Sequence, residues 1–306
     1  MEIIYFDQNE NYLLGNLALA IGEFDGLHIA HQHLIKKMME KASDLGLKKA
    51  IITFDPHPDF ILRKKSYSGY LTPLDEKIMI LRNMGVDLLV IVPFSKPTSQ
   101  LSHQEFEKQI LGKFSISHLV VGYDFRYGYK GLGTASTLSE LYPTTIIPKM
   151  MLHNQKIGSN IIRDYLQNGQ VKNANAMLGR YFTIKGKVEV GNQIGQKIGI
   201  RTANITLKDE YQLLKKGVYA VFVDFNQKRW QGVCNIGNNP TLNFIKKPRL
   251  EVHILNFDDM IYDQLLSVCF VDFLRDEIKF DNVQDLIKQI HQDIKNAKKV
   301  LGEETC

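Results

Sequence analysis

The first 150 residues alternate short strand-like runs with longer helical patterns, and this alternation restricts the fold more than any other feature. Apolar and β-branched runs bounded by Gly or Pro, typical of buried strands, occur at 17–21, 50–54, 87–93, 118–122 and 144–148. Between them, helical spacing of apolar residues predicts helices over 30–45, 73–84 and 102–111, the last opened by the capping-box residues Ser102 and Glu105. Since parallel neighbours need crossover connections, we expect a doubly wound α/β sheet.

After about residue 180 the pattern changes to strands joined by hairpin or loop signals. These strands are predicted at 181–190, 217–225, 229–237, 249–257 and 265–274. They indicate an antiparallel barrel, followed by an amphipathic helix from Val283 to Leu301 with Asp281 as its cap. Residues 158–180 predict two short helices separated at Asn168 and Gly169. We therefore expect two domains, 1–180 and 181–306.

Composition excludes several classes of protein. The chain start lacks the basic and apolar regions needed for export, and no run of about 18 apolar residues occurs, so we expect a cytoplasmic protein without membrane contact. Three cysteines without a CxxC pair argue against a disulfide framework and a zinc site. A net charge of +5 is modest for 306 residues and does not by itself identify a partner; we expect small-molecule substrates and no nucleic-acid partner.

A turn with two histidines follows the first predicted strand, at the sheet edge where ligands of α/β proteins bind. His28 and His31 lie three residues apart at the start of a predicted helix, whose free N–H groups attract anions. Such histidines can donate hydrogen bonds to triphosphate oxygens, and Gly22 and Gly26 let the backbone approach a ligand. The alternative is a pair of surface or capping histidines.

Four motifs follow one another along the chain: GEFDGLHIAH (22–31), TFDPHP (53–58), LTPLDEK (71–77) and VVGYDFRYG (120–128). In order and spacing they resemble the bacterial bifunctional riboflavin kinase/FMN adenylyltransferases, or FAD synthetases, over essentially the whole chain. The resemblance implies a Rossmann-like nucleotidyltransferase domain, followed by an antiparallel β-barrel riboflavin-kinase domain with a C-terminal helix.

For the first domain, the resemblance implies that His28 and His31 contact the ATP phosphates as catalytic residues, together with Arg163. It implies further ATP or phosphate contacts at Gly22, Phe24, Asp25, Gly26, Ser159 and Asn160. It places the flavin against Phe54, Pro56 and Pro58, and the flavin or adenine against Asp124, Phe125 and Tyr127. A rigid proline turn with an aromatic face suits a flat ligand, although Phe54 is equally well explained as a core residue.

For the second domain, the resemblance implies that Glu251 is the catalytic base; the alternative is an outward-facing strand carboxylate paired with a lysine. Gly199 is expected to bind phosphate, and Thr202 and Asn204 to bind phosphate and Mg²⁺, for which hard oxygen donors are suitable. Asn235 and Arg275, in segments resembling GxxNIG and LRDExKF, are expected to bind flavin.

The chain departs from the family motifs at three positions: Ala30 replaces glycine, Asn160 replaces threonine and Arg201 replaces proline. An added methyl at residue 30 costs about 1–2 kcal/mol if the backbone is left-handed and little if it is helical, and we expect it to be helical. The expected function is synthesis of FMN from riboflavin and of FAD from FMN, with ATP and Mg²⁺, by a monomer or weak homo-oligomer. The alternatives are a single active domain, or a flavin-binding regulatory protein without useful turnover.

Overall fold

The computed structural model describes residues 1–12, 14–64, 67–189, 200–238 and 248–303. The chain divides into two compact units, Met1–Ser159 and Asn160–Cys306. The division of function near residue 180 stays a prediction.

The first unit is built on a parallel sheet of six strands within the described residues, in the order β1-β4-β3-β2-β5-β8. These strands are β1 (Glu2–Tyr5), β2 (Leu17–Ile21), β3 (Lys48–Asp55), β4 (Leu88–Pro93), β5 (Ile116–Gly122) and β8 (Thr144–Ile147). Short antiparallel pairs are formed by β6 (Arg126–Tyr127) with β7 (Gly133–Thr134), and by β9 (Met151–Leu152) with β10 (Gln155–Lys156). All five predicted strands are confirmed, and the edge strand β1 is additional.

Helices cover both faces of this sheet. They are α1 (Ile29–Leu45), α2 (Pro58–Ile61), α3 (Leu74–Asn83), α4 (Lys96–Gln100), α5 (His103–Gln109) and α6 (Ala135–Leu141). Along β2, Ala18 and Ala20 face the core with α1 and α3, whereas Leu17 and Leu19 face the core with α5 and α6. The two cores confirm the doubly wound arrangement. The capping box at Ser102 and Glu105 is also confirmed, since each accepts a hydrogen bond from the other's backbone N–H.

The second unit is a closed antiparallel barrel in the order β11-β12-β15-β14-β13-β16. Its strands are β11 (Phe182–Glu189), β12 (Ala203–Leu207), β13 (Gly217–Phe225), β14 (Lys228–Asn238), β15 (Pro248–Ile254) and β16 (Leu265–Arg275). The sequence missed β12, a short strand that closes the barrel between β11 and β15. The predicted pair of helices is confirmed as α7 (Ser159–Gln167) and α8 (Val171–Leu178), separated at Gly169, whose φ is 75°.

The C-terminal helix α9 (Val283–Glu303) covers part of the outer barrel wall, where its Ala297 and Leu301 pack with Val218 and Phe222. The predicted cap, Asp281, is wrong. The helix begins at Val283, and the Asn282 side chain accepts a 2.9 Å hydrogen bond from the Asp285 backbone N–H. Asn and Asp cap equally well, so only the observed start of the helix distinguishes them. No helix in the described ranges is both long and apolar enough to cross a membrane.

This assignment of the cap predicts different stabilities for two alanine variants. Asn282→Ala should lower the free energy of unfolding by about 1 kcal/mol, because it leaves a helix N–H without its partner. Asp281→Ala should change it by less than about 0.5 kcal/mol. Denaturant titrations followed by the fluorescence of Trp230, the single tryptophan of the chain, measure both. A larger loss for Asp281→Ala would contradict the assignment.

Candidate functional sites

The turn between β2 and α1 has a tightly packed backbone. Phe24, Gly26 and Leu27 have positive φ values of 51°, 83° and 39°. Left-handed backbone is unfavourable for Phe and Leu, and both side chains are fully buried. Such a conformation persists only where packing enforces it, and it is common at ligand sites. The turn therefore holds the side chains that follow it in one arrangement.

His28 is both the cap of α1 and a buried residue, with only 4% of its surface exposed. Its Nδ1 accepts a hydrogen bond from the His31 backbone N–H at 3.3 Å. The two imidazoles stack with their centroids 3.6 Å apart, and the Phe24 ring packs edge-on against His31. The capping alternative is thus correct for His28, whereas a surface position is wrong for it.

Burial lowers the pKa of His31 well below its usual value, and the nearby His28 and Lys77 lower it further. Its imidazole is therefore neutral at pH 7. The Nδ1 atom of His31 is buried and has no hydrogen-bond partner within the described residues. Ala30, between the two histidines, is helical, as expected, so the methyl that replaces glycine is tolerated.

The Asp25 carboxylate, predicted to bind phosphate, is bound by the protein itself. It is 2% exposed, and one of its oxygens accepts hydrogen bonds from the backbone N–H groups of Leu71 (3.0 Å) and Thr72 (3.1 Å). The Ser159 hydroxyl donates to the Asp25 carbonyl at 2.9 Å. The structure thus brings Asp25 and Ser159 together, with Asp25 anchoring the 71–77 motif against the histidine turn.

A buried cluster that the sequence did not predict joins three of the motifs. The Lys77 ammonium, 2% exposed, donates to the Glu23 carbonyl (2.6 Å) and to the Thr53 hydroxyl (3.1 Å). Thr53 in turn donates to the same carbonyl at 3.0 Å. Burial raises the pKa of Glu23 well above its usual value, although Lys77 opposes this shift. The only sequence signal for this cluster is that its members belong to successive motifs.

The histidine turn borders a cavity of about 1090 Å³. Of the predicted site residues, those that line it are Gly22, Phe24, His31, Phe54, Pro58, Asp124, Phe125 and Tyr127. Phe54 also packs against the Phe94 and Phe106 rings in the core, with centroids 6.0 and 6.3 Å away, so both of its interpretations describe its position. Pro56, which follows a cis peptide bond, is not among the described lining residues.

Part of the cavity lining is aromatic, and its side chains are held by contacts within the protein. Phe125 and Tyr127 stack with centroids 5.8 Å apart, and the Tyr127 hydroxyl donates to Glu107 at 2.5 Å. Gly128 lies so close to the His103 backbone that an added Cβ would come within 2.7 Å of it. Asp124 forms a 2.6 Å ion pair with Lys156. A flat ring can therefore stack on a preformed surface.

Arg163 and Asn160, also predicted to bind phosphate, belong to the second unit. Arg163 is 5% exposed, and its guanidinium donates to the Gln212 side chain at 2.7 Å. Asn160 is exposed. Their contribution to a phosphate site stays a prediction.

Strand pairing in the barrel brings three predicted kinase residues into one row. Asn204 on β12 pairs with Glu251 on β15, which pairs with Asn235 on β14. Paired residues of antiparallel strands project from the same face with neighbouring Cβ atoms. Their sequence neighbours Cys234 and Val252 are fully buried inside the barrel, so the row lies on the outer face. The Glu251 carboxylate thus lies between two side-chain amides.

Arg275, predicted to bind flavin, is held by a buried partner, and its contact with flavin stays a prediction. Its guanidinium forms two hydrogen bonds with the Asp293 carboxylate of α9, at 2.8 and 2.7 Å. Asp293 is 3% exposed and also accepts a hydrogen bond from Gln289. Arg275 pairs with Val218, which pairs with Asn235, so it lies two strands along the same row. The sequence missed Asp293, because its helix position resembles that of any surface carboxylate.

The nucleotide loop is described only in part. Gly199 lies outside the described residues, whereas Thr202 is exposed immediately before β12. The Arg201 guanidinium donates to the Asp258 carbonyl at 2.9 Å. No group of three or more His, Cys, Asp or Glu residues suited to a metal occurs in the part of the chain that the structure describes.

Comparisons with known proteins give a family match for each half of the chain. Residues 12–161 match the FAD synthetase family model, and residues 178–301 match the riboflavin kinase model. The bifunctional riboflavin kinase/FMN adenylyltransferase of Listeria monocytogenes is 36% identical to this chain, over 92% of both chains. That of Escherichia coli K12 is 31% identical to this chain, over 93% of this chain and 92% of that one. A solved structure described as a macrolide-efflux protein from Streptococcus pneumoniae is 28% identical, with a TM-score of 0.89 over 97% of this chain and 99% of that one.

Both catalytic domains are thus present in one chain, in the same order as the two halves of the fold. The similarity extends over nearly the whole length of the relatives as well as of this chain. The chain is an enzyme that belongs to the bifunctional riboflavin kinase/FMN adenylyltransferase family.

Proposed function

We propose that the barrel phosphorylates riboflavin to FMN, and that the parallel-sheet unit adenylylates FMN to FAD and releases diphosphate, with ATP as co-substrate in both reactions. The observation that carries this proposal is that each unit brings several motif residues of one reaction together. The histidine turn opens on an aromatic cavity, and Asn204, Glu251 and Asn235 form one row.

In the adenylylation step, the FMN phosphate attacks the α-phosphorus of ATP. This nucleophile is already ionised, so the site needs no general base and acts by positioning and charge stabilisation. We assign His28, His31 and the N-terminus of α1 to the phosphate oxygens, where negative charge grows on the departing diphosphate. A neutral His31 retains one N–H donor for this purpose. The ring pair of Phe125 and Tyr127, together with Phe54, is assigned to the flat ring system of the substrate.

In the kinase step, the attacking group is a hydroxyl and must lose its proton. We assign the Glu251 carboxylate as the general base that accepts this proton. A general base must lie within hydrogen-bond reach of the hydroxyl that it deprotonates. The neighbouring amides of Asn235 and Asn204 orient the flavin and the phosphate side of the site. Two hydrogen bonds hold Arg275 on Asp293, which supports a role for Arg275 in positioning the kinase site.

The residues present fit a magnesium ion. Thr202 and Asn204 supply neutral oxygen donors, and Mg²⁺ usually binds to few protein ligands while phosphates and waters complete its shell. When bound, the ion would offset the negative charge of the ATP phosphates. Thr202 and Asn204 would hold it on the side of the row opposite Asn235.

We further propose that the protein works in the cytoplasm as a monomer or weak homo-oligomer. Cys234 and Cys269 are buried free thiols, which is consistent with a reducing compartment.

Incubation of the purified protein with riboflavin, ATP and Mg²⁺, followed by chromatography of the flavins, tests the proposal. FMN and FAD should both accumulate. FMN alone, or FAD only from added FMN, would reduce the function to one domain. Flavin binding without any product would favour the regulatory alternative.

The variant Glu251→Gln should lower FMN formation about 10²- to 10⁴-fold, because the amide cannot accept the hydroxyl proton. Adenylylation of added FMN should be unchanged. Glu189→Gln is the matched control, since exposed Glu189 pairs with Asn204 on its other side and should not affect either rate. Equal loss of both activities in Glu251→Gln would contradict separate sites.

The variant His28→Asn separates the two roles of His28. Asparagine is a good helix cap, so α1 should remain stable. Loss of the imidazole should slow adenylylation about 10²- to 10³-fold, as loss of one donor to a developing charge does. His33→Asn, on the same helix but without an assigned phosphate contact, provides the control. Rates of FAD formation from FMN that are equal for wild type and His28→Asn would remove His28 from the phosphate contacts.

A further inference from the structure

The Glu23 side chain borders the cavity from the turn that also holds the two histidines. Its backbone is held firmly, because Lys77 and Thr53 both donate to its carbonyl. Its carboxylate differs from the rest of the cluster: both oxygens are buried, and neither has a hydrogen-bond partner in the described part of the chain. A buried carboxylate that lines a cavity without donors is suited to receive them from a ligand.

Lys77 favours the ionised form of this carboxyl group, which burial opposes, but gives it no hydrogen bond. The Lys77 ammonium lies 3.7 Å from Glu23 Oε1, which is too long for a hydrogen bond but close enough for charge attraction. The other acidic residues nearby have donors. Asp25 accepts from two backbone N–H groups, and Asp59 forms a 2.7 Å ion pair with Lys64. Glu23 therefore differs from Asp25 and Asp59 in that its oxygens have no hydrogen-bond donor among the described residues.

The chemistry of the cavity narrows the choice of ligand group. Phosphates are acceptors and would be repelled by a carboxylate, and the histidine turn is assigned to them. The aromatic wall takes a flat ring. In both ATP and FMN, the segment between the phosphate and the ring is a five-carbon sugar chain with adjacent hydroxyls. A carboxylate with two free oxygens can accept one hydrogen bond from each of two adjacent hydroxyls, as acidic residues do for ribose in dinucleotide sites.

We propose that Glu23 is a specificity-determining residue of the adenylylation site, and that its carboxylate binds vicinal hydroxyls of the substrate sugar chain. The ribose of ATP and the ribityl chain of FMN are the two sources of this chemistry. The assignment rests on the proposed adenylylation of FMN in the same cavity. It gives a binding role to a side chain outside the residues that the resemblance assigned.

Steady-state adenylylation by the full chain distinguishes the two sources. Glu23→Ala should raise KM about 10- to 100-fold for the substrate whose hydroxyls it binds, since hydrogen bonds to a charged group are the strong ones. The value of kcat should change less than about threefold, because ground state and transition state lose the contact alike. Glu23→Gln, which retains one acceptor oxygen and the side-chain shape, should lie between wild type and Glu23→Ala.

Deoxy substrates identify the hydroxyls. If Glu23 binds ribose, 2′-deoxy-ATP or 3′-deoxy-ATP should have a higher KM than ATP in the wild type, and this difference should disappear in Glu23→Ala. If it binds the ribityl chain, the same loss of discrimination should occur between FMN and its 2′-deoxyribityl analogue. Asp59→Asn is the matched control, because it removes a carboxylate from the same cavity wall that already has a partner. It should leave all these KM values unchanged.

Three results would overturn the proposal. These are unchanged KM values for ATP and FMN in both Glu23 variants, tighter ATP binding in Glu23→Ala, or deoxy-substrate differences equal in wild type and variant. Tighter ATP binding would indicate that the carboxylate merely repels phosphate. A wild-type protein that forms no FAD from FMN would refute the adenylylation itself, which separates that failure from a failure of Glu23.

Discussion

The arrangement of the first unit depends on the buried carboxylate of Asp25. An ion removed from water is stable only when donors surround it, and here backbone N–H groups of residues 71 and 72 provide them. Hydrogen bonds to charged groups contribute about 1.5–3 kcal/mol each, so the attachment is strong. It joins a turn between β2 and α1 to a segment about 45 residues further along. With the turn fixed, the cap at His28, the ring of Phe24 and the carbonyl of Glu23 are fixed as well.

In the second unit, strand register rather than a buried charge fixes the positions of the polar side chains. Alternation along each strand places Cys234 and Val252 in the barrel and Asn235 and Glu251 outside. A shift of one residue in any pair would exchange these faces. The hydrophobic interior therefore enforces the row of polar side chains. Helix α9 adds a second constraint, because its Asp293 determines where the end of β16 lies.

Much of this architecture is predictable from the sequence, because buried strands and amphipathic helices have local signatures. Strand β1 lacks such a signature, because it is short and half exposed. Strand β12 was not predicted, because it overlaps the segment that resembles a nucleotide loop. The motifs indicated residues that the structure brings together at the histidine turn and in the barrel row. They did not predict that Asp25 would be bound by the protein, or that Lys77, Thr53 and Glu23 would meet. Those contacts join residues far apart in sequence, so no local pattern contains them.

The thiol of Cys234 lies directly behind the polar row, inside the barrel wall. Burial raises the pKa of this thiol well above its usual value, and the nearby Glu251 charge adds to the shift. Alkylation and oxidation proceed through the thiolate, which is scarcely populated here. A sulfur one residue from Asn235 is thereby shielded from electrophiles and peroxide. The riboflavin kinase half of the chain thus keeps the wall behind this row chemically inert, in an enzyme whose products serve redox chemistry elsewhere.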